Sequence, residues 1–580
     1  MTQARKNKPL MQAWRFPVVM VLLAILLSML VWRVLSLQIL DTDRGYSFLQ
    51  SQGDARTIRT ETIPAYRGVI VDRNGETLAM STPVVSIVID PRQVVEQKDK
   101  WPTLATALGM TYKQLAEKVV ANSKRGFLYL RRQMAPSDAD KVTALNIAGL
   151  TTEREYKRFY PAGEVVAHVV GFTNIDDRGQ EGIELAYDQW LAGHEGAKRV
   201  VKDLRGNIIR DIEQVKPAQM GKPLALSIDL RLQHLAYREL KSAVADSRAK
   251  SGTIVMLDIR TGEVLAMANQ PSYNPNNRGD LQASAIRNRA VTDVFEPGST
   301  VKPFTIVAAL ESGRYTPHTR IDTSPGSLRI GRKTLLDPVN YGVIDVTKVL
   351  TKSSQVGTSK IALTLDEHDV WSVFKRFGLG EATRSGFPGE RAGYMPDRPN
   401  WRDIERVNFA FGYGLSVTPL QLAQAYSVFA TGGILRPATM MRQEQPVEGV
   451  RVVEAKVAHD VLKMLKTVVE PGGTGTAAQL DAYTVAGKTG TAHKVGQSGY
   501  ADDRYRAIFA GVAPADNPRI ATVIMIDEPQ TGKYYGGEVA APVFAGFAAD
   551  ALRIMDVSPD KLHPVMPLVA IHSVRENQTW

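Results

Sequence analysis

Cysteine is absent from the 580 residues. That excludes a disulfide scaffold, a thiolate zinc site, an iron–sulfur protein and a cysteine nucleophile. Two other patterns are missing. No H-E-x-x-H occurs, so a zincin is unsupported, and no G-x-S-x-G marks a hydrolase nucleophile elbow. Acid is missing from the start of the chain, where the first carboxylate is Asp41. Excess charge of one sign is also small. Lys+Arg number 71 against Asp+Glu 60, a net of +11, and Arg5, Lys6, Lys8, Arg15 and Arg33 crowd the first forty residues. The remaining excess is diluted and needs no nucleic-acid partner. Hydrophobic residues at 44% and charged residues at 23% are globular values and exclude a mainly disordered or multi-span chain. The length implies several folding units.

The long apolar run is FPVVMVLLAILLSMLVW, Phe16 to Trp32. As a helix it spans about 25 Å, slightly short of the roughly 30 Å bilayer core. Continuing to Leu40 makes up the difference if Arg33 snorkels to the interface. Pro17 falls in the first turn, where its missing N–H costs little. No A-x-A-like cleavage site follows, so residues 16–40 read as an uncleaved signal anchor. The cations before the run predict a cytoplasmic tail over 1–15 and everything after Leu40 outside the cytoplasm. ATP chemistry is then unexpected. GKT at Gly487–Thr489 invites a P-loop, but the motif's first glycine would be Ala482.

Residues 41–222 mix short strands and loops. Asn74-Gly75 signals a hairpin, and 101–122 and 137–147 read as helices. After Lys222-Pro223, LALSID alternates like a strand, and a helix follows over 231–249. SGTIVMLDI (251–259), a turn at 260–262 and 263–268 form a hairpin. A helix is expected over 299–313, strands over 506–512 and 520–527, and an amphipathic helix over 541–555. Strands at both ends with helices between predict an α+β domain over 223–556, its antiparallel sheet completed by distant segments. Residues 557–580 read as a tail.

The chemistry concentrates in DVFEPGSTVKPF, Asp293–Phe304. Ser299 and Lys302 are three apart, so they share a helix face. A serine hydroxyl becomes a nucleophile when a neighbour takes its proton, and a lysine can do so when burial or another cation lowers its pKa. An isolated S-x-x-K is usually a cap beside a solvated lysine. Here Ser353-Ser354-Gln355 and Lys488-Thr489-Gly490-Thr491 follow in order, which completes the penicillin-recognising signature. KTG-T should lie on a strand, with Gly490 leaving the backbone open to a ligand. Lys488 would add positive potential, and Thr489 and Thr491 would hold a substrate carboxylate.

With RGVIVDRNG (67–75), RFYP (158–161), His168, Gly171, GQEGIE (179–184), SGTIVMLDIRTGEVLAMANQPSYNPN (251–276), FGYGLSVTPLQLA (411–423) and KYYGGEVAAPVF (533–544), the chain resembles the class B penicillin-binding proteins of the division (septal) type. The resemblance implies an inner-membrane anchor, a pedestal or dimerisation-type domain over 41–222 and a transpeptidase domain that includes a helical subdomain. It implies a serine-type D-Ala-D-Ala transpeptidase that cross-links peptidoglycan stem peptides. Ser299 would attack the D-Ala-D-Ala carbonyl, with Lys302 as base and Ser353 relaying protons between Lys302 and Lys488. The Ser299 and Thr491 N–H groups would form the oxyanion hole. A second stem's amine would accept the acyl group, and β-lactams would trap Ser299. It implies no metal or cofactor, and as partners the inner membrane, a polytopic glycosyltransferase and other division proteins. The family usually has Ser-x-Asn where Gln355 stands. That amide keeps the donor and acceptor chemistry but reaches about 1.5 Å farther. A scaffold paralogue and a carboxypeptidase are the alternative readings. Arg67, Asp72 and Arg73 read as staples between pedestal and catalytic domain, or else as a surface for the glycan polymerase. His493 reads as packing or solvent-facing, and Tyr534–Gly537 as a cleft wall or a plain turn.

Overall fold

The computed structural model describes residues 14–39, 58–202, 208–279, 281–496 and 499–561, together with 47, 48, 51 and 53. Most of the expected cytoplasmic tail (1–15), the end of the anchor at Leu40 and most of the expected tail over 557–580 lie outside the described residues. Arg15–Gln38 forms one 24-residue helix. At 1.5 Å per residue this is about 36 Å, enough for a bilayer core. Among the described residues it is the one helix long and apolar enough to cross a membrane.

The chain divides into two compact units that interleave in sequence. The first takes Met1–Tyr66, Pro83–Tyr156 and Gly193–Met220, and the second takes Arg67–Thr82, Lys157–Ala192 and Gly221–Trp580. In the first, Ile58–Ile63, Gly196–Lys202 and Ile208–Lys216 form an antiparallel sheet in that order. Helices Trp101–Leu108, Tyr112–Ala121 and Pro136–Thr143 surround a small core with Ile87, Trp101, Leu104 and Val119. The single helix expected over 101–122 is therefore two. Gly109 adopts φ +63° and closes the first helix, with its N–H on Thr106 O and that of Met110 on Ala105 O. Thr111 opens the second through a capping box with Gln114. Stop and start chemistry outweighs the continuous apolar periodicity there.

The second unit is built on a five-stranded antiparallel sheet. Its order is Val264–Gln270, Ser251–Asp258, Ile520–Asp527, Gly499–Ala513, Ala486–Gly496. Chain-distant strands do complete it, with Ile254 opposite Ile524 and Phe509 opposite both Ile524 and Thr489. Every residue of Ser251–Asp258 and Ile520–Asp527 is buried, as a sheet covered on both faces requires. On one side Leu230–Asp246 and Gly536–Ile554 pack Leu235, Leu240, Phe544 and Phe547 against Ile254 and Phe509. On the other, Lys302–Glu311, Pro419–Ala430 and Ala455–Val469 contribute Phe304, Tyr426 and Leu465 to the core holding Val255 and Val523. Further helices, among them Gln355–Thr364, Asp369–Arg376 and Asp403–Ala410, extend this side.

Other boundaries also differ from the sequence expectation: the helix expected over 137–147 is Pro136–Thr143, that over 231–249 is Leu230–Asp246, and the strand expected over 506–512 is Gly499–Ala513. Of LALSID only Leu224–Ala225 is a strand, paired in parallel with Ile70–Val71, because Asp229 turns away to cap Leu230–Asp246 by accepting from Arg231 N. The helix expected over 299–313 opens as a tighter turn, Gly298–Val301, before Lys302–Glu311. The helix expected over 541–555 starts at Gly536 and carries Pro542 inside it. The Asn74-Gly75 hairpin is present: Asp72 Oδ1 accepts from the N–H groups of Asn74 and Glu76, and Ile70 pairs with Ala79.

The motif residues of the second unit are bonded, and Arg67, Asp72, Arg158, His168 and Glu184 are buried. Arg67 Nε and Arg158 Nε donate to the two oxygens of Glu184 at 2.5 and 2.6 Å, and Arg67 Nη1 donates to Asp188 at 2.7 Å. Asp72 Oδ2 accepts from Leu230 N at 3.0 Å, and Arg73 pairs with Glu263 at 3.3 Å. His168 Nε2 bonds Ala285 O at 2.8 Å. Arg67 thus ties the 67–82 segment to residues 184–188, and Asp72 and Arg73 tie it to residues 230 and 263, all within the second unit.

Candidate active site

Ser299 sits in the Gly298–Val301 turn, partly exposed, and Lys302 begins the following helix with 0% exposure. The turn is held from several sides. Tyr426 Oη donates to Thr300 O at 2.7 Å, Thr300 Oγ1 to Pro297 O at 2.7 Å and Thr305 Oγ1 to Ala410 O at 2.6 Å. Phe304 packs among Phe374, Phe377, Tyr426 and Phe429 with ring centroids 5.0–6.0 Å away. Gly298 N donates to Gly412 O, and a Cβ at Gly412 would lie 2.1 Å from Gly298 O. This close approach accounts for glycine in FGYG. The Ser299 hydroxyl has no hydrogen-bond partner among the described residues.

Lys302 Nζ donates to Ser353 O at 2.6 Å and to Ser353 Oγ at 3.3 Å. Burial pushes its pKa from 10.5 down to about 7, against the opposing pull of the Asp337 carboxylate. Ser353 occupies the left-handed region at φ +56°, at a cost of roughly 1–2 kcal/mol for a side chain of its kind. Its carbonyl is thereby presented to Lys302. Ser354 caps the next helix by accepting from Gly357 N at 2.8 Å. Gln355 is the first residue of that helix, and its side-chain amide has no hydrogen-bond partner among the described residues.

Lys488, Thr489, Gly490 and Thr491 lie on the edge strand Ala486–Gly496, a setting unlike a P-loop. Lys488 is also 0% exposed and donates to Thr489 O at 3.1 Å and Thr489 Oγ1 at 3.4 Å. Burial, and then the positive charge of Lys302, hold its pKa well below the usual lysine value. Thr489 Oγ1 shares a 2.8 Å hydrogen bond with Thr474 Oγ1. A Cβ on Gly490 would meet Thr300 Cγ2 at 2.7 Å and Pro297 O at 3.1 Å, so the strand runs close along the Ser299 turn. Thr491 Oγ1 accepts from Gly536 N at 3.0 Å. The segment Tyr534–Gly537 therefore lies along this strand. Tyr505 stacks on Tyr534 at 4.2 Å, Tyr534 meets Tyr535 at 4.5 Å, and His493 packs on Tyr505 at 4.6 Å.

Three segments far apart in sequence thus meet at Ser299. One supplies a partly exposed serine and a buried amine, one a serine beside that amine, and one a second buried amine with two hydroxyls. Residues 252–548 match the penicillin-binding protein transpeptidase domain, and residues 62–226 match the penicillin-binding protein dimerisation domain. The chain belongs to the penicillin-binding protein transpeptidase family. It is 45% identical over 555 residues to the peptidoglycan D,D-transpeptidase FtsI of Escherichia coli K12, covering 95% of this chain and 93% of that protein. It is 41% identical over 562 residues to the probable peptidoglycan D,D-transpeptidase PbpC of Pseudomonas aeruginosa, covering 97% and 98%. Among solved structures it resembles penicillin-binding protein 3 of Mycobacterium tuberculosis complexed with aztreonam, at TM-score 0.67 and 29% identity, covering 86% of this chain and 98% of that one. The transpeptidase domain of Burkholderia pseudomallei penicillin-binding protein 3 matches at TM-score 0.54 and 41% identity, covering 58% and 98%.

Several residues of this penicillin-binding protein site carry no sequence signal. Tyr426 and Thr474 act through tertiary contacts with Thr300 and Thr489. Asp337 precedes a proline in an unremarked loop, yet bonds the start of the Gln355–Thr364 helix.

Proposed function

We propose that the protein is a septal peptidoglycan D,D-transpeptidase acting through an acyl-enzyme at Ser299. The observation that carries this reading is a partly exposed serine one turn before a fully buried lysine whose pKa lies at about 7. An amine that is about half neutral near neutral pH can take the serine proton. In acylation the Ser299 O–H bond breaks, its proton passes to Lys302 Nζ, and Oγ bonds the penultimate D-Ala carbonyl carbon of a stem peptide. The Ser299 and Thr491 N–H groups are assigned to the oxyanion. The C–N bond then breaks, and the proton returns through Lys302, Ser353 and Lys488 to the departing D-alanine amine. An amine of a second stem attacks the ester, forms the cross-link and restores Ser299. Lys488, Thr489 and Thr491 are assigned to the terminal carboxylate, with Gly490 giving it access and Gln355 directed at the stem-peptide amide. A β-lactam enters the same route and remains as the ester, because its leaving group stays tethered.

The apolar helix Arg15–Gln38 and the cations before it support a single-pass anchor in the inner membrane with the catalytic domain in the periplasm. On this reading residues 41–222 form the pedestal, 223–556 the transpeptidase domain, and a polytopic glycosyltransferase of the division machinery is the membrane partner.

Intact-mass spectrometry of the detergent-solubilised full chain with a penicillin tests the assignment. One covalent adduct is expected on the parent and none on Ser299→Ala. A folded parent that takes no adduct would defeat it.

A further inference from the structure

Asp337 follows the strand Lys333–Leu336 and is only 8% exposed. Its Oδ2 accepts from Ser354 Oγ at 2.5 Å. Its Oδ1 accepts from the N–H groups of Gln355 at 2.6 Å and Val356 at 3.2 Å. These open the helix Gln355–Thr364 and have no partner within it. Ser354 Oγ takes the third N–H, that of Gly357. Two side chains therefore satisfy three consecutive donors. Immediately before them stands Ser353 at φ +56°, whose carbonyl and hydroxyl both receive Lys302 Nζ. Asp337 is one residue removed from the atoms that touch the lysine.

We propose that the Asp337 carboxylate is a positioning group of this site, clamping Ser353-Ser354-Gln355 beneath Lys302. The inference rests on the assignment of Ser299 and Lys302 as nucleophile and base. A plain helix cap would accept the same hydrogen bonds. The difference lies in charge, because Asp337 also favours the cation on Lys302. The other groups around this pair are Lys488 on the edge strand and Tyr341 on the loop beyond Asp337. Lys360, on the clamped helix, donates instead to Asp322 O, and Lys352, in the turn, to Gly472 O. Glu311, on the Lys302 helix, pairs with Arg376. Lys333, on the strand before Asp337, is exposed.

The clamp has two separable consequences. Placement affects acylation at every pH. Charge affects where the rate falls on the acid side, since removing the carboxylate makes Lys302 easier to deprotonate and moves that limb to lower pH. The test is the acylation rate of the full chain by a fluorescent penicillin from about pH 5 to pH 9, with melting curves for each variant. Asp337→Asn is expected to lower the plateau roughly tenfold and to move the acid limb down by about half to one pH unit. Ser354→Ala keeps the charge and should lower the plateau several-fold with the limb unmoved. A folded Asp337→Asn whose limb coincides with the parent's overturns the proposal. If Asp337→Asn does not fold, Asp337→Glu should show a lowered plateau and the parent's limb, and a parental plateau there overturns it. A parent that takes no acyl group at Ser299 would instead defeat the functional assignment beneath it.

Discussion

Two clusters of buried charge in the second unit make opposite use of burial. Around Glu184, the Arg67 and Arg158 guanidiniums each place a nitrogen within 2.6 Å of a carboxylate oxygen. Burial works against the Arg67 charge, but Glu184 and Asp188 outweigh it and hold its pKa above the ordinary value. Around Ser299, Lys302 and Lys488 are just as buried, yet their hydrogen bonds go to carbonyls and hydroxyls. Asp337, which makes no ion pair with Lys302, opposes the cost of desolvation only in part, so both pKa values fall. The first cluster fastens the N-terminal motifs in place, and the second keeps an amine able to accept a proton. Pairing is what separates them.

The comparison can be broken first at Glu184. Glu184→Gln leaves two buried guanidiniums facing a neutral amide. It should cost about 3–5 kcal/mol of stability, read from denaturant unfolding, while folded protein still acylates at Ser299. Unchanged stability would mean that the ion cluster is not holding this segment.

Lys302→Met should do the reverse, abolishing acylation while raising stability by a few kcal/mol at about pH 7. The folded pKa lies below the unfolded one, so between about 7 and 10.5 the unfolded chain binds the extra proton. Parent stability therefore rises with pH through that window, and the advantage of the methionine variant fades across it. Melting curves at several pH values would reveal a pH-independent difference if Lys302 were not desolvated.

The smallest effect is expected at Gln355. Its side-chain amide has no hydrogen-bond partner among the described residues, and its backbone is fixed by Asp337. Gln355→Asn shortens the reach by about 1.5 Å and should raise the acylation rate several-fold with no change in melting temperature. A fall in rate would mean that the longer side chain is fitted to its ligand.

The candidate site was legible because residue types and their order mark it out. Ser299 with Lys302, Ser353 ahead of an amide, and the Lys488 strand announce themselves before any folding is considered. The sheet was legible for a related reason, since SGTIVMLDI and Ile520–Asp527 are short apolar runs fit to be covered on both faces. Local competition was harder to read. Periodicity over 101–122 concealed the stop at Gly109, and the alternation of LALSID concealed the turn into the Asp229 cap. Asp337 was beyond reach of sequence reasoning, because its role exists only once a hairpin exit meets a helix start.

The central claim is that burial, only partly opposed by the Asp337 carboxylate, leaves Lys302 able to act as a base. The pH dependence of Ser299 acylation by a penicillin in the parent protein tests it most directly. The account predicts a rate that rises with pH to a plateau, with its midpoint near 7. A rate still climbing toward pH 10, as an ordinary lysine would give, would contradict it.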